Sequence, residues 1–312
     1  MFTLARCFFL HLCLIISPSL IVANDEVPAE LPEPYPQLLE LPSYIYEDYQ
    51  VAYDRVFSED AIPYWWTVGL STAALLALDE QWIAESERLG KKLGIGTKYN
   101  TNTVLGYKGI KILSLPEDTG SFMYFIGDGW TTMAFVGGFL ATGALTDDDK
   151  AYNVGFQLIE GLLATGISTQ TIKHITGRQS PNTKTESGGK WDFFPNQSDY
   201  FADIANYDAF PSGHLAVGTM TLTVISKNYP EKTWIIPTGI TLLSLLSFQM
   251  NNNNVHWASD YPVAIALGYT FGSIAYERGQ RSLNTPNQNI SRLQFQPIVS
   301  ADGLGVSMHY TF

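Results

Sequence analysis

Three short stretches hold residue types that do chemistry together. Pro211-Ser212-Gly213-His214 has the makings of an anion cradle. Ser and Gly open a helix whose unpaired backbone N–H groups and dipole favour a phosphate. His214 falls in the first turn, where its imidazole can hand a proton to a leaving oxygen. The plainer alternatives are a Ser212 that only caps the helix and a surface histidine. His256-Trp257-Ala258-Ser259-Asp260 sets a carboxylate four residues after a histidine, on the same side of a helical segment. An Asp that accepts from one ring nitrogen fixes the tautomer and leaves the other as nucleophile or base. A capping Asp beside a satisfied histidine would look the same. Lys173-His174-Ile175-Thr176-Gly177-Arg178-Gln179-Ser180-Pro181 puts cations at a helix end before a Gly and Pro break, which is also how helices ordinarily end.

In order and spacing the three stretches resemble the signature of the type 2 phosphatidic acid phosphatase and vanadium haloperoxidase superfamily. That signature is a Lys, six residues and Arg-Pro; Pro-Ser-Gly-His; then Ser-Arg, five residues, His, three residues and Asp. The resemblance extends over roughly residues 120–280. It implies that His256 attacks phosphorus to form a phosphohistidine, that Asp260 orients it, and that His214 protonates the departing alcohol and then activates water. Lys173, Ser212 and the backbone of Gly213 would hold the phosphate oxygens. It implies no metal and no other cofactor, and a phosphorylated lipid or small phosphate ester as substrate.

The departures are as informative. Ser180 stands where the first motif has Arg, and Gln249-Met250 where the third has Ser-Arg. Two charge-assisted hydrogen bonds lost amount to about 3–6 kcal/mol, on the order of 10²–10⁴ in rate if they act in the transition state. Arg178, two residues before Ser180, is the candidate replacement, and Asn251-Asn252-Asn253-Asn254 reads as a polar loop able to offer amide donors. A non-catalytic relative that binds a ligand or partner is the competing reading. A vanadate-dependent haloperoxidase, which needs a richer cationic cradle, is third.

The elements that must position these residues are helices. Apolar segments of helical length recur at about 63–90, 121–146, 149–176, 212–229, 233–249 and 259–280. The expected fold is all-α: a bundle of about six core helices spanning 63–284. Apolar runs of roughly 15 residues fall short of the ~20 needed to span a bilayer, and mean hydropathy is +0.01; a water-soluble bundle is favoured, with membrane association left open. At the end of the chain Val306, Met308, Tyr310 and Phe312 alternate with polar residues, as Leu293 and Phe295 do upstream. That period of two predicts a terminal β-hairpin over 285–312, turning at Ala301-Asp302-Gly303.

Arg6 is the only charge in the first 23 residues and precedes a short apolar run that ends at Ala23. Residues 1–23 are expected to be a secretory signal, and 24–62, rich in Pro, Glu and Tyr, an extended arm. The expected destination is the periplasm, or a membrane on its periplasmic side. Both cysteines, Cys7 and Cys13, fall within the signal, so neither a disulfide nor a thiolate metal site is expected beyond it. The formal net charge of −12 makes nucleic acid a poor partner. An anionic substrate must therefore be drawn by a small local cluster of positive groups.

Overall fold

The computed structural model describes residues 41–108, 110–284, 293–300 and 303–310. The expected signal, and the arm as far as residue 40, lie outside them. The chain is predominantly helical, with two small antiparallel hairpins. Its elements run α1 (Leu41–Val56), α2 (Ile62–Leu76), α3 (Asp79–Leu93), β1 (Thr101–Tyr107), β2 (Ile110–Pro116), α4 (Thr119–Phe125) and α5 (Gly129–Thr146). They continue α6 (Asp149–Thr176), α7 (Gln197–Ala202), α8 (Gly213–Asn228), α9 (Ile235–Asn252), α10 (Tyr261–Asn284), β3 (Leu293–Ser300) and β4 (Gly303–Tyr310).

The core is built around α8, whose Leu215, Ala216, Met220 and Val224 are fully buried. One side meets α9 and α10 through Leu243, Leu246, Met250, Tyr261 and Ala264. The other meets α5 and α6 through Val136, Val154 and Leu158. Buried polar side chains such as Asn153, Gln157, Glu160 and Arg278 interrupt the apolar contacts on α6 and α10. The core helices hold the loops that carry the three motifs at one end of α6, α8 and α10.

Several boundaries differ from expectation. The segment 63–90 is two helices, α2 and α3, bent by 69° where Ala77 and Leu78 intervene; the bend lets Asp79 turn inward, where it is buried. The segment 121–146 divides at Asp128, whose carboxylate accepts from Trp130 N and starts α5 afresh. Residues 41–56, expected to be extended, form α1, with Leu41, Tyr44, Asp48 and Ala52 on its buried face. Hairpin β1–β2 was not expected, whereas the terminal hairpin pairs Leu293 with Tyr310 through Ser300 with Gly303. Its expected turn at Ala301-Asp302 lies outside the described residues. No single helix among the described residues is long and apolar enough to cross a membrane; the bent pair α2–α3 meets that criterion only when taken together.

Candidate active site

Lys173 sits in the last turn of α6 and is buried there. The helix stops because Gly177 takes φ +51°, and its N–H bonds back to Lys173 O at 2.9 Å. A Cβ at Gly177 would lie 2.1 Å from Asp192 O, so this turn is open only to glycine. Beyond it the chain folds back, with Gln179 N on Lys190 O and Asp192 N on Gly177 O. The ammonium of Lys173 lies 3.3 Å from Asp208 Oδ2.

Ser212 caps α8: its Oγ accepts from Leu215 N at 3.4 Å and donates to Met250 Sδ at 3.3 Å. Its backbone N–H binds Asp260 O at 3.2 Å, which ties the second motif to the third. Gly213 follows as the first helical residue; a Cβ there would lie 3.6 Å from Thr169 Cγ2 and 4.0 Å from Lys173 Nζ. Lys173 and Thr169 therefore overlook the helix N-terminus where an anion would sit. The Thr169 hydroxyl is buried and has no hydrogen-bond partner among the described residues. His214 is half-buried, its ring 4.4 Å from that of Tyr124. Gly127 permits this contact, since a Cβ there would come within 2.7 Å of both the backbone oxygen and the Cβ of His214. Burial pushes the His214 pKa down to about 3, with the nearby His256 ring and the Lys173 ammonium adding to the shift.

His256 is buried between α9 and α10. Its Nδ1 is 2.7 Å from Ala209 O and 3.4 Å from Asp260 Oδ2. A carbonyl can only accept, so Nδ1 carries the proton and Nε2 keeps its lone pair. The tautomer is thus fixed chiefly by the Ala209 carbonyl, with Asp260 as the second, longer partner. Asp260 in turn accepts from Trp257 N at 2.7 Å and from Arg178 Nη1 at 2.6 Å.

Arg178, the expected phosphate ligand, lies elsewhere. It is fully buried, with Nη1 on Asp260 and Ser259 Oγ, Nη2 on Asp79 Oδ2 at 2.7 Å, and Nε and Nη2 on Gly188 O. Its guanidinium is sandwiched by Trp191 at 4.8 Å and Trp257 at 5.2 Å. Every arm of the fork is engaged, so Arg178 braces Asp260 and leaves phosphate to Lys173 and the backbone. The Ser212 hydroxyl is likewise occupied as a cap. Met250, in the position of the missing arginine, is fully buried in the apolar cluster of α8, α9 and α10. The Asn run is no polar loop: Asn251 and Asn252 finish α9, buried, and bind His256 O and Gly96 O. His174 points away, hydrogen-bonded to Gln197 and stacked on Tyr200.

The structure brings together Lys173, Gly213, His214, His256 and Asp260. Sequence reasoning missed Asp79, Asp208, Thr169, Tyr124 and the Ala209 carbonyl. Asp208 and Ala209 lie just before Pro211, beside the second motif in sequence. Asp79, 99 residues from Arg178, carried no local signal. Together a fixed imidazole, a second neutral imidazole and a helix N-terminus under a lysine can bind an oxyanion, attack its centre and shuttle one proton.

A model of the PAP2 superfamily matches residues 155–283, which contain all three motifs. That match supports membership of the superfamily and points to chemistry on phosphate esters. No curated protein and no solved structure matches the chain.

Proposed function

We infer from the chain's membership of the PAP2 superfamily, supported by residues 155–283, that it hydrolyses a phosphate monoester, with a lipid phosphate as the preferred class, through a phosphohistidine. The observation that carries this reading is His256: its Nδ1–H is committed to Ala209 O, which leaves Nε2 as the nucleophilic nitrogen. Nε2 bonds to phosphorus as the P–O bond to the alcohol breaks, and His214 gives its proton to that alcohol oxygen. Water then attacks phosphorus, its proton returns to His214, and inorganic phosphate leaves as the P–N bond breaks. His214, held neutral in the free site, must acquire the first proton with the substrate. The singly protonated ester supplies it, so kcat/KM should fall about tenfold per pH unit above the ester's second pKa, near ~6. A pH profile that stays flat to pH ~8 would remove His214 from the acid role.

Export and a bilayer-facing position complete the reading. Helix α2 has no buried residue and exposes Trp65, Trp66 and Leu70; α5 exposes Trp130, Met133 and Phe135; α9 exposes Ile236, with Trp234 exposed just before it. Exposed threonines on these helices are satisfied within the helix itself: Thr67 by Pro63 O, Thr142 by Gly138 O, Thr241 by Pro237 O. Hydroxyls closed on their own backbone, flanked by tryptophan, suit a lipid surface better than water. The decisive experiment offers the full chain lipid phosphates and a soluble chromogenic ester. His256→Ala should lower phosphate release by about 10³-fold or more. Equal, negligible release by both proteins would instead favour the ligand-binding reading, which the engaged Arg178 and the paired Lys173 support.

A further inference from the structure

We propose that Asp208 is a charge filter for the phosphate site: by neutralising Lys173 it disfavours doubly charged phosphoryl groups and admits singly charged ones. The inference rests on the phosphate-site reading above and names what that site selects.

The argument is one of charge and position. Lys173 Nζ is the cation that overlooks Gly213, and Asp208 Oδ2 is 3.3 Å from it. The Asp208 backbone is held on both sides, which keeps its carboxylate there. Residue 208 bridges to Arg178, Ala209 N donates to Arg178 O at 2.9 Å, and Ala209 O receives Nδ1–H of His256. The other nearby cation is Arg178, shared between Asp79 and Asp260, so that group of three carries an excess negative charge. Residues 180 and 250, where the signature has arginine, are a serine and a methionine, both buried. A dianion entering this site meets a lysine already paired, and like charge from Asp208 a few ångströms away. A monoanion, whether a protonated monoester or a diester, meets about half that repulsion and gains the same N–H contacts. Asp208 lies in the short segment just before the cradle and points at the cradle's own cation, so it acts on the ligand's charge rather than on the fold.

The test measures equilibrium binding to the full chain by calorimetry with two probes: inorganic phosphate at about pH 8.5, where it is doubly charged, and dimethyl phosphate, singly charged. Asp208→Asn should tighten phosphate by about tenfold or more and change dimethyl phosphate by less than about threefold. Asp208→Glu should keep the wild-type preference. Lys173→Gln combined with Asp208→Asn should cancel the gain, with thermal melts confirming that each variant is folded. Detectable phosphate binding by Asp208→Asn alone also supports the filter. Equal or weaker phosphate binding by Asp208→Asn, or equal tightening of both probes, overturns it. If Lys173→Gln weakens wild-type phosphate binding yet Asp208→Asn does not tighten it, only the filter falls. If no protein in the set binds phosphate, the phosphate-site reading falls with it.

Discussion

Two arginines are buried among the described residues, and their surroundings differ in one respect that separates site from scaffold. Arg178 joins Asp79 and Asp260, and all its donors are used between the start of α3 and the loops around the motifs. Arg278, on α10, holds three carboxylates: Glu160 of α6 at 2.8 Å, and Glu47 and Asp48 of α1 at 2.9 and 2.7 Å. Tyr44 lies against its guanidinium at 4.8 Å. Arg55 of α1 pairs with Glu277, and Tyr49 donates to Ala164 O, so α1 is fastened along its length to α6 and α10. Around Arg278 there is more carboxylate than one arginine can balance. Burial, then Asp48, pushes the Glu160 pKa well up, and burial raises Asp48 as well, with Glu160 and Asp48 hydrogen-bonded to each other. A proton held between them makes up the balance. Around Arg178 the carboxylates exceed the cation by one, and burial raises Asp79; around Arg278 they exceed it by two, and protonation settles more of the charge.

The largest effect should come from breaking the first cluster. Arg178→Ala leaves Asp79 and Asp260 buried without their cation, which costs about 3–5 kcal/mol. Urea unfolding should show it, and phosphate release should vanish with it because Asp260 loses its brace. Lysine is a poor substitute, since a single ammonium cannot span two carboxylates and the Gly188 carbonyl. Arg278→Ala should also destabilise, but its deficit should shrink more steeply on acidification, because Glu160 and Asp48 both stand ready to take up protons where the first cluster has Asp79. Equal pH dependence of the two deficits would erase the distinction drawn here.

A related test inserts an arginine with no carboxylate waiting. Met250→Arg puts a cation among Leu215, Leu246 and Tyr261, and the free protein should lose about 2–4 kcal/mol as an uncompensated buried charge. Added inorganic phosphate should recover part of that loss if position 250 still faces the anion. Thermal melts with and without phosphate read both effects, and a variant as stable as the parent in plain buffer would contradict the first.

These clusters also mark where the sequence could and could not be read. The candidate site's pattern is legible because its spacing is set locally: Ser212 caps the helix that displays His214, and Asp260 follows His256 by four residues, near enough to meet its ring. Partners across the chain are not. Asp79 reads as the end of an apolar run until α2 and α3 bend and deliver it to Arg178. Asn251 and Asn252 look solvated as a run, yet they close the polar end of α9 against Gly96 O and His256 O. Helix α1 hid because its inward face holds Asp48 where an apolar residue would have revealed the period, although Tyr44, Asp48 and Ala52 keep the i, i+4 spacing. Arg178 is close to the first motif in sequence, but the two tryptophans that enclose it come from 191 and 257 and draw it into the buried cluster.

The second cluster makes a pH prediction with a definite sign. Glu160 has a raised folded pKa, so the folded chain holds a proton that the unfolded chain releases above the ordinary glutamate value. Its contribution is therefore present in full below that ordinary value and is lost as pH rises through the folded pKa. Stability should decline across that window by at most about 1.4 kcal/mol per pH unit for this one proton. Glu160→Gln, which mimics the protonated form, should flatten the decline and be at least as stable as the parent at pH ~8. Denaturation midpoints at several pH values decide it; a variant whose decline matches the parent's would place the sensitive proton elsewhere.

The smallest effect probes what the aromatic rings add to the better-balanced cluster. Trp191 covers one face of Arg178, stacks beside Phe193 at 6.1 Å and meets Phe210 at 5.2 Å, but it is only half-buried and gives the arginine no hydrogen bond. Trp191→Phe keeps an aromatic face and should cost less than about 0.5 kcal/mol, whereas Trp191→Leu removes the cation–π contact and should cost about 1 kcal/mol. The contact shields a guanidinium whose carboxylates hold it in place, so neither variant should change phosphate binding measurably. If Trp191→Leu weakened phosphate binding as strongly as Lys173→Gln, Arg178 would depend on its rings more than on Asp79 and Asp260. The contrast with Arg278, whose ring contact comes from the strap helix α1 itself, would then have to be redrawn around the aromatic partners.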